Sequence, residues 1–262
     1  MGKMDGRAAI VTGGNSGIGE ATSKLLAAEG AKVAILARRE EEGARVVAEI
    51  AAAGGEAGFF HCDVMSRESC HEAVTAAISR FGPCCALFNN AGGSYNDVFP
   101  SDQDSRFERT LSLNVTSAYR VTSEIWQSMI DAGGGTIVNM SSLSATAAVS
   151  PAQRKLMPGL PSPGYAVSKA AMDGFTRYIA SLGAPHNIRV NGVRPGQVIT
   201  PMATQYTPGH HIFEGYFEHT QLTPGPGTPE DVAQLVVFLL SDESRFINAQ
   251  VVDIDGGAAG KV

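Results

Sequence analysis

The chain has 262 residues, 44% hydrophobic and 18% charged, which is enough apolar material for a substantial core and excludes disorder as its description. Acidic residues outnumber basic ones 26 to 20, for a net charge of −6 without any Lys/Arg-rich tract, so a nucleic-acid-binding footprint is excluded. No apolar run approaches the ~18–20 residues of a membrane span.

Short apolar runs rich in β-branched residues alternate with helical patterns from the N-terminus onward. Residues 8–12 read as a buried strand, 17–29 as a helix, 32–37 as a strand and 40–53 as a helix stopping at Gly54-Gly55. A strand at 57–61, a helix at 67–81 and a strand at 85–89 follow, then a long helix at 104–131 and a strand at 136–140. The second half adds a helix at 164–183, a strand at 188–193, a helix at 229–241 and a strand at 250–254. Strands apolar on both faces and separated by helices predict an α/β fold, a Rossmann-like doubly wound parallel sheet with helices on both sides. No linker or repeat divides the chain, so one domain is expected over residues 1–262. Two stretches read as irregular: 150–163, with Pro151, Pro158, Pro161 and Pro163, and 197–227, expected to be a substrate lid.

The opening Met1–Gly6 runs directly into the first strand, which predicts no signal peptide. Cys62, Cys70, Cys84 and Cys85 lack metal-ligand spacing and read as reduced thiols, predicting a cytoplasmic protein with no metal. His210, His211 and His219 fit no metal template either; with Phe213, Tyr216 and Phe217 they suggest an aromatic cover that excludes water. Trp126 reads as core or subunit interface.

Thr12-Gly13-Gly14-Asn15-Ser16-Gly17-Ile18-Gly19 links the first strand to the first helix. Glycines there allow a tight turn, and a helix N-terminus offers free N–H groups to a pyrophosphate. An NAD site usually places a carboxylate about twenty residues further on, at the end of the second strand. Ala37 stands there instead, followed by Arg38 and Arg39. A guanidinium grips a 2′-phosphate that a carboxylate would repel, so NADP(H) is expected over NAD(H), with Arg38 the better candidate.

Asn89-Asn90-Ala91-Gly92 closes the fourth strand, and Tyr165-Ala166-Val167-Ser168-Lys169 opens a later helix. With the Gly-x3-Gly-x-Gly turn, these make the chain resemble the short-chain dehydrogenase/reductase family over essentially its whole length. Tyr165 and Lys169 share one helix face, and an ammonium beside the phenol should lower its pKa toward neutrality. The resemblance implies Tyr165 as acid/base, Lys169 as its partner and nicotinamide-ribose ligand, Ser142 as the hydroxyl orienting the substrate oxygen, and Asn114 as support for a proton relay. Gly13, Asn15, Ser16, Gly17 and Ile18 would then cradle the pyrophosphate. Asp63 and Val64 would lie at the adenine, Asn90, Ala91 and Gly92 beside its ribose, and Pro195, Gly196, Val198 and Thr200 at the nicotinamide carboxamide. The helices at 104–131 and 164–183 resemble the pair through which the family forms dimers and tetramers, so a homo-oligomer is expected.

The expected activity is hydride transfer between NADP(H) and a ketone or aldehyde and its alcohol, with a small-molecule substrate. An NAD-dependent secondary-alcohol or sugar dehydrogenase is the alternative, and a non-catalytic cofactor-sensing regulator the alternative of another class. Enoyl reductases of this fold space their Tyr and Lys further apart. Two departures from the family pattern stand out. The Ser142–Tyr165 interval is longer than usual by roughly ten residues, a loop-scale insertion, carrying Arg154 and Lys155 as possible anion contacts. Ala249 stands where glycine is common.

Overall fold

In the computed structural model of the protein, residues 2–102, 104–146, 150–156, 161–204, 211–213 and 220–258 are described. Seven strands form one parallel sheet: β1 (Ala8–Thr12), β2 (Lys32–Ala37), β3 (Glu56–His61), β4 (Cys84–Asn89), β5 (Gly135–Met140), β6 (Ile188–Pro195) and β7 (Val251–Ile254). Their order is β3-β2-β1-β4-β5-β6-β7, so the direction of winding reverses between β1 and β4, where such sheets open a crevice at the carboxyl ends of their strands.

The alternation of side chains along each strand divides the core. Ala9 and Val11 of β1 face one layer, formed with α1 (Gly17–Ala28), α2 (Glu40–Ala52) and a helix at Pro229–Leu240. Ala8 and Ile10 face the other, formed with α3 (Arg67–Phe81) and α5 (Ser117–Asp131). Ile10, Leu26, Ile125 and Ile137 are fully buried, each contributing roughly 1.5–3 kcal/mol relative to exposure. Trp126 packs against the second layer.

The stretch predicted as one helix at 104–131 is three pieces: α4 (Ser105–Leu111), a π-helical turn (Ser112–Thr116) and α5. The π turn is centred on Asn114, whose carboxamide bonds outward from the helix. Residues 150–163 are not wholly irregular. They contain a short helix, α6 (Pro151–Leu156), in which Arg154 and Lys155 are exposed, and the start of α7 (Pro163–Gly183). Pro158 lies outside the described residues. Pro163 begins α7 because its missing N–H would be an orphan there anyway, and the Ser162 side chain accepts from the Tyr165 amide. A four-residue helix, α8 (Pro201–Thr204), follows β6, and α9 (Pro229–Leu240) starts with a capping box between Thr228 and Asp231. Ala249 adopts φ +60°, the left-handed conformation that glycine tolerates better.

Candidate active site

The crevice at the β1/β4 switch point is a cleft of about 390 Å³. At one end runs the glycine turn, where Gly13 has φ +64° and Gly17 φ +54°. A Cβ on Gly13 would come within 2.9 Å of Asn90 Nδ2. That amide donates to the Thr12 carbonyl at 2.9 Å, while the Thr12 hydroxyl accepts from the Asn90 and Ala91 amides at 3.0 and 2.9 Å. One threonine thus pins β4 to β1. Ser16 makes no side-chain cap to α1, leaving the first amides of that helix as donors beside Ser16, Gly17 and Ile18 in the cleft.

Asn15 Nδ2 donates to the Arg39 carbonyl at 2.9 Å, and the Arg39 guanidinium is paired with Glu42 at 2.9 Å. Arg38 is exposed at the cleft and has no hydrogen bond or ion pair among the described residues. Asp63 and Val64 wall the same end; Asp63 Oδ1 accepts from the Met65 amide at 3.0 Å. A conformationally special turn, uncapped helix amides and an unpaired guanidinium fit a dinucleotide.

At the opposite end Ser142, Tyr165 and Lys169 meet. Burial holds the Tyr165 phenol above its ordinary pKa, and the Ser142 hydroxyl opposes that rise. Lys169 is not among the groups that act on the phenol in the cofactor-free fold. Lys169 Nζ lies 5.5 Å from the Tyr165 ring centroid and donates to the Met140 carbonyl at 2.9 Å. Burial holds the Lys169 ammonium down at about 8, opposed by the charge of Asp173.

Asn114 stands behind the cleft wall rather than in it. Its Oδ1 accepts from the Gly93 amide at 2.8 Å, and its Nδ2 donates to the Gly93 carbonyl at 2.9 Å and the Ser168 hydroxyl at 2.8 Å. A Cβ on Gly92 would meet Asn114 Oδ1 at 2.6 Å and Lys169 Nζ at 3.4 Å, so a glycine is required for that close approach. π turns are frequent where a helix must redirect a functional side chain.

Pro195, Gly196, Val198 and Thr200 complete the wall facing the glycine turn; the Gly196 amide donates to the Ile254 carbonyl at 3.0 Å. Leu113, Met140, Met202 and Phe213 give the Tyr165 end an apolar lining. His210, Tyr216, Phe217 and His219 lie outside the described residues.

Two groups escape sequence reasoning. Asp97, 6% exposed, accepts from the Ser162 hydroxyl and the Gly164 amide, both at 2.8 Å, and so fastens the segment after β4 to the start of α7. Ser141 also borders the cleft, but its buried hydroxyl is engaged 2.6 Å from Asp173 Oδ1. Asp97 belongs to no local motif; its only signal is an acid in an otherwise uncharged stretch.

Residues 13–259 match the family model described as Enoyl-(Acyl carrier protein) reductase. Momilactone A synthase of Oryza sativa subsp. japonica is 34% identical, over 97% of this chain and 90% of the relative. Cyclopentanol dehydrogenase of Comamonas testosteroni is also 34% identical, over 98% of both chains. A short-chain type dehydrogenase/reductase from Mycobacterium ulcerans superposes with a TM-score of 0.86 at 28% identity, covering 98% of this chain and 91% of the other. The chain belongs to the short-chain dehydrogenase/reductase family and is an NAD(P)-dependent oxidoreductase acting on CH–OH groups. Among the described residues no helix is long and apolar enough to cross a membrane.

Proposed function

We propose that the protein is an NADP(H)-dependent oxidoreductase interconverting an apolar, ring-borne secondary alcohol and its ketone. The observation that carries this reading is that Tyr165, Ser142 and Lys169 line one cleft together with the glycine turn. Relatives named for cyclopentanol and for a dichlorocyclohexadiene diol support the ring alcohol, as do Leu113, Met202 and Phe213. The four-residue Tyr165–Lys169 interval favours carbonyl chemistry over the double-bond reduction in the matching model's description.

When bound, the nicotinamide supplies or accepts the hydride. Tyr165 donates its phenolic proton to the carbonyl oxygen, or takes it from the alcohol in the reverse direction. Ser142 hydrogen-bonds the same oxygen and stabilises the charge developing on it. Lys169 supplies positive charge beside the phenol and a donor toward the nicotinamide ribose, and Asn114 fixes the backbone at Gly93 and supports the proton relay. Gly13, Asn15, Ser16, Gly17 and Ile18 hold the pyrophosphate. Asp63 and Val64 hold the adenine, Asn90, Ala91 and Gly92 its ribose, and Pro195, Gly196, Val198 and Thr200 the carboxamide. Arg38 grips the 2′-phosphate, whereas Arg39, already paired with Glu42, contributes less.

Met202 and Phe213, from the described part of segment 197–227, cover the substrate side of the cleft. The protein works in the cytoplasm, where its four free cysteines stay reduced. It assembles as a homo-oligomer through α5 and α7, which expose Tyr119 and Tyr178. Paired titration with NADPH and NADH, followed by turnover of cyclopentanol and cyclopentanone, tests the core of this reading. NADPH binding tighter by about tenfold or more, ~1.4 kcal/mol, is expected; equal or tighter NADH binding overturns the cofactor preference, and no turnover of ring substrates overturns the substrate class.

A further inference from the structure

Behind Lys169 lies a largely buried ion pair that the reaction steps above do not use. Asp173, one turn further along α7, is 4% exposed. Its Oδ2 accepts from Arg194 Nε at 2.8 Å and also lies 2.8 Å from Nη2, while Arg194 Nη1 reaches on to Asp253 of β7 at 3.0 Å. Its Oδ1 accepts from the Ser141 hydroxyl at 2.6 Å, and that hydroxyl lies 3.1 Å from the Lys169 carbonyl. Ser141 in turn follows Met140, whose carbonyl takes the Lys169 ammonium, and precedes Ser142.

Desolvation of the buried Asp173 and the largely buried Arg194 offsets much of their attraction, so such a pair is a poor stabiliser compared with an apolar one. Its placement points elsewhere. We propose that Asp173, tied to Arg194 and Ser141, is a positioning residue that holds Lys169 and its positive charge at the cleft. The contribution to turnover rests on the reading of Tyr165 and Lys169 given above.

The groups around Lys169 make Asp173 the charge that matters. On α7 itself Tyr165 is uncharged when protonated. From the other elements come the neutral Asn114 carboxamide of the π turn and the Met140 carbonyl of β5. Arg194 and Asp253, on β6 and β7, lie beyond Asp173. Asp97 is engaged with the N-terminus of α7, and Arg106, Glu108 and Arg109 of α4 are exposed. Burial lowers the Lys169 pKa, and the charge of Asp173 opposes that lowering.

The test is the titration of Lys169 in the cofactor-free protein by lysine-labelled NMR, its resonance assigned by its absence in Lys169→Met. In Asp173→Asn the titration is expected to move down by about one pH unit or more, the usual reach of a nearby opposite charge. The alkaline limb of carbonyl-reducing kcat/KM should move down with it. Should Asp173→Asn fail to fold, Asp173→Leu/Arg194→Met removes both charges together and is expected to shift the titration in the same direction. An unchanged titration in either folded variant overturns the proposal. Tyr165→Phe, assayed in parallel, separates the two ideas: full turnover there defeats the catalytic reading, while the Lys169 titration still decides what Asp173 does.

Discussion

Asn114 Nδ2 donates to the Ser168 hydroxyl at 2.8 Å, joining the π turn ahead of α5 to the residue beside Lys169. With the two bonds to Gly93, this satisfies the buried carboxamide on both sides. Asn114→Ala leaves the Gly93 amide and carbonyl without these partners and is expected to cost about 1–3 kcal/mol. Denaturant unfolding measures it; a loss under a few tenths would mean that water replaces the side chain.

Tyr165→Phe keeps the ring and its packing but removes the hydroxyl that meets Ser142. Turnover should fall by at least ~10²-fold with cofactor affinity nearly unchanged, as expected for a lost general acid/base. Single-turnover kinetics together with a cofactor titration would separate the two quantities.

Arg38 and Arg39 are neighbours with different duties. Arg38→Ala should weaken NADPH binding by about ten- to hundredfold while sparing NADH, since a charge-assisted contact is worth roughly 1.5–3 kcal/mol. Arg39→Ala should change the ratio far less because Glu42 already holds that guanidinium. Equal effects of the two substitutions would remove the distinction.

Lys169 sits at about 8 in the fold against an ordinary 10.5. Between those values the unfolded chain holds a proton that the folded one has released, so this group makes stability rise with pH across the window. Lys169→Met should therefore be more stable than the parent at pH 7, by up to about 3 kcal/mol. That advantage should shrink from pH 8 upward and vanish near 10.5. Unfolding curves of both proteins across this range would reveal the convergence, and a constant difference would contradict it.

Ala249 carries a Cβ at φ +60°, while its amide donates to the Val190 carbonyl at 2.9 Å. Ala249→Gly relieves the strain without disturbing that bond and should stabilise the protein by about 1 kcal/mol. A thermal or denaturant comparison suffices, and destabilisation would show that the methyl's packing outweighs its strain.

The sheet and most of its helices are legible in the chain because their signals are local. Apolar runs, glycine stops and the Tyr165–Lys169 spacing each lie within a few residues. The π turn is not legible, since one extra residue per turn leaves the apolar pattern of 104–131 nearly continuous. The Asp173–Arg194 pair escapes for another reason: its partners are 21 residues apart and meet only when α7 lies on β6. Likewise, the resemblance singles out Ser142 in Val138-Asn139-Met140-Ser141-Ser142, but the bond from Ser141 to Asp173 appears only once α7 has packed.

The Asp97 contacts to Ser162 and Gly164 give the cleft a property that no single residue has. The segment leading from β4 over the site and the helix presenting Tyr165 are fastened at one corner, so they shift as one body. A substitution made there to admit a bulkier ring would also displace the proton-transferring hydroxyl. Substrate range and speed are thus coupled at this corner, and an engineer would gain independent control of them only by working away from it, at Met202 and Phe213 of the cleft lining.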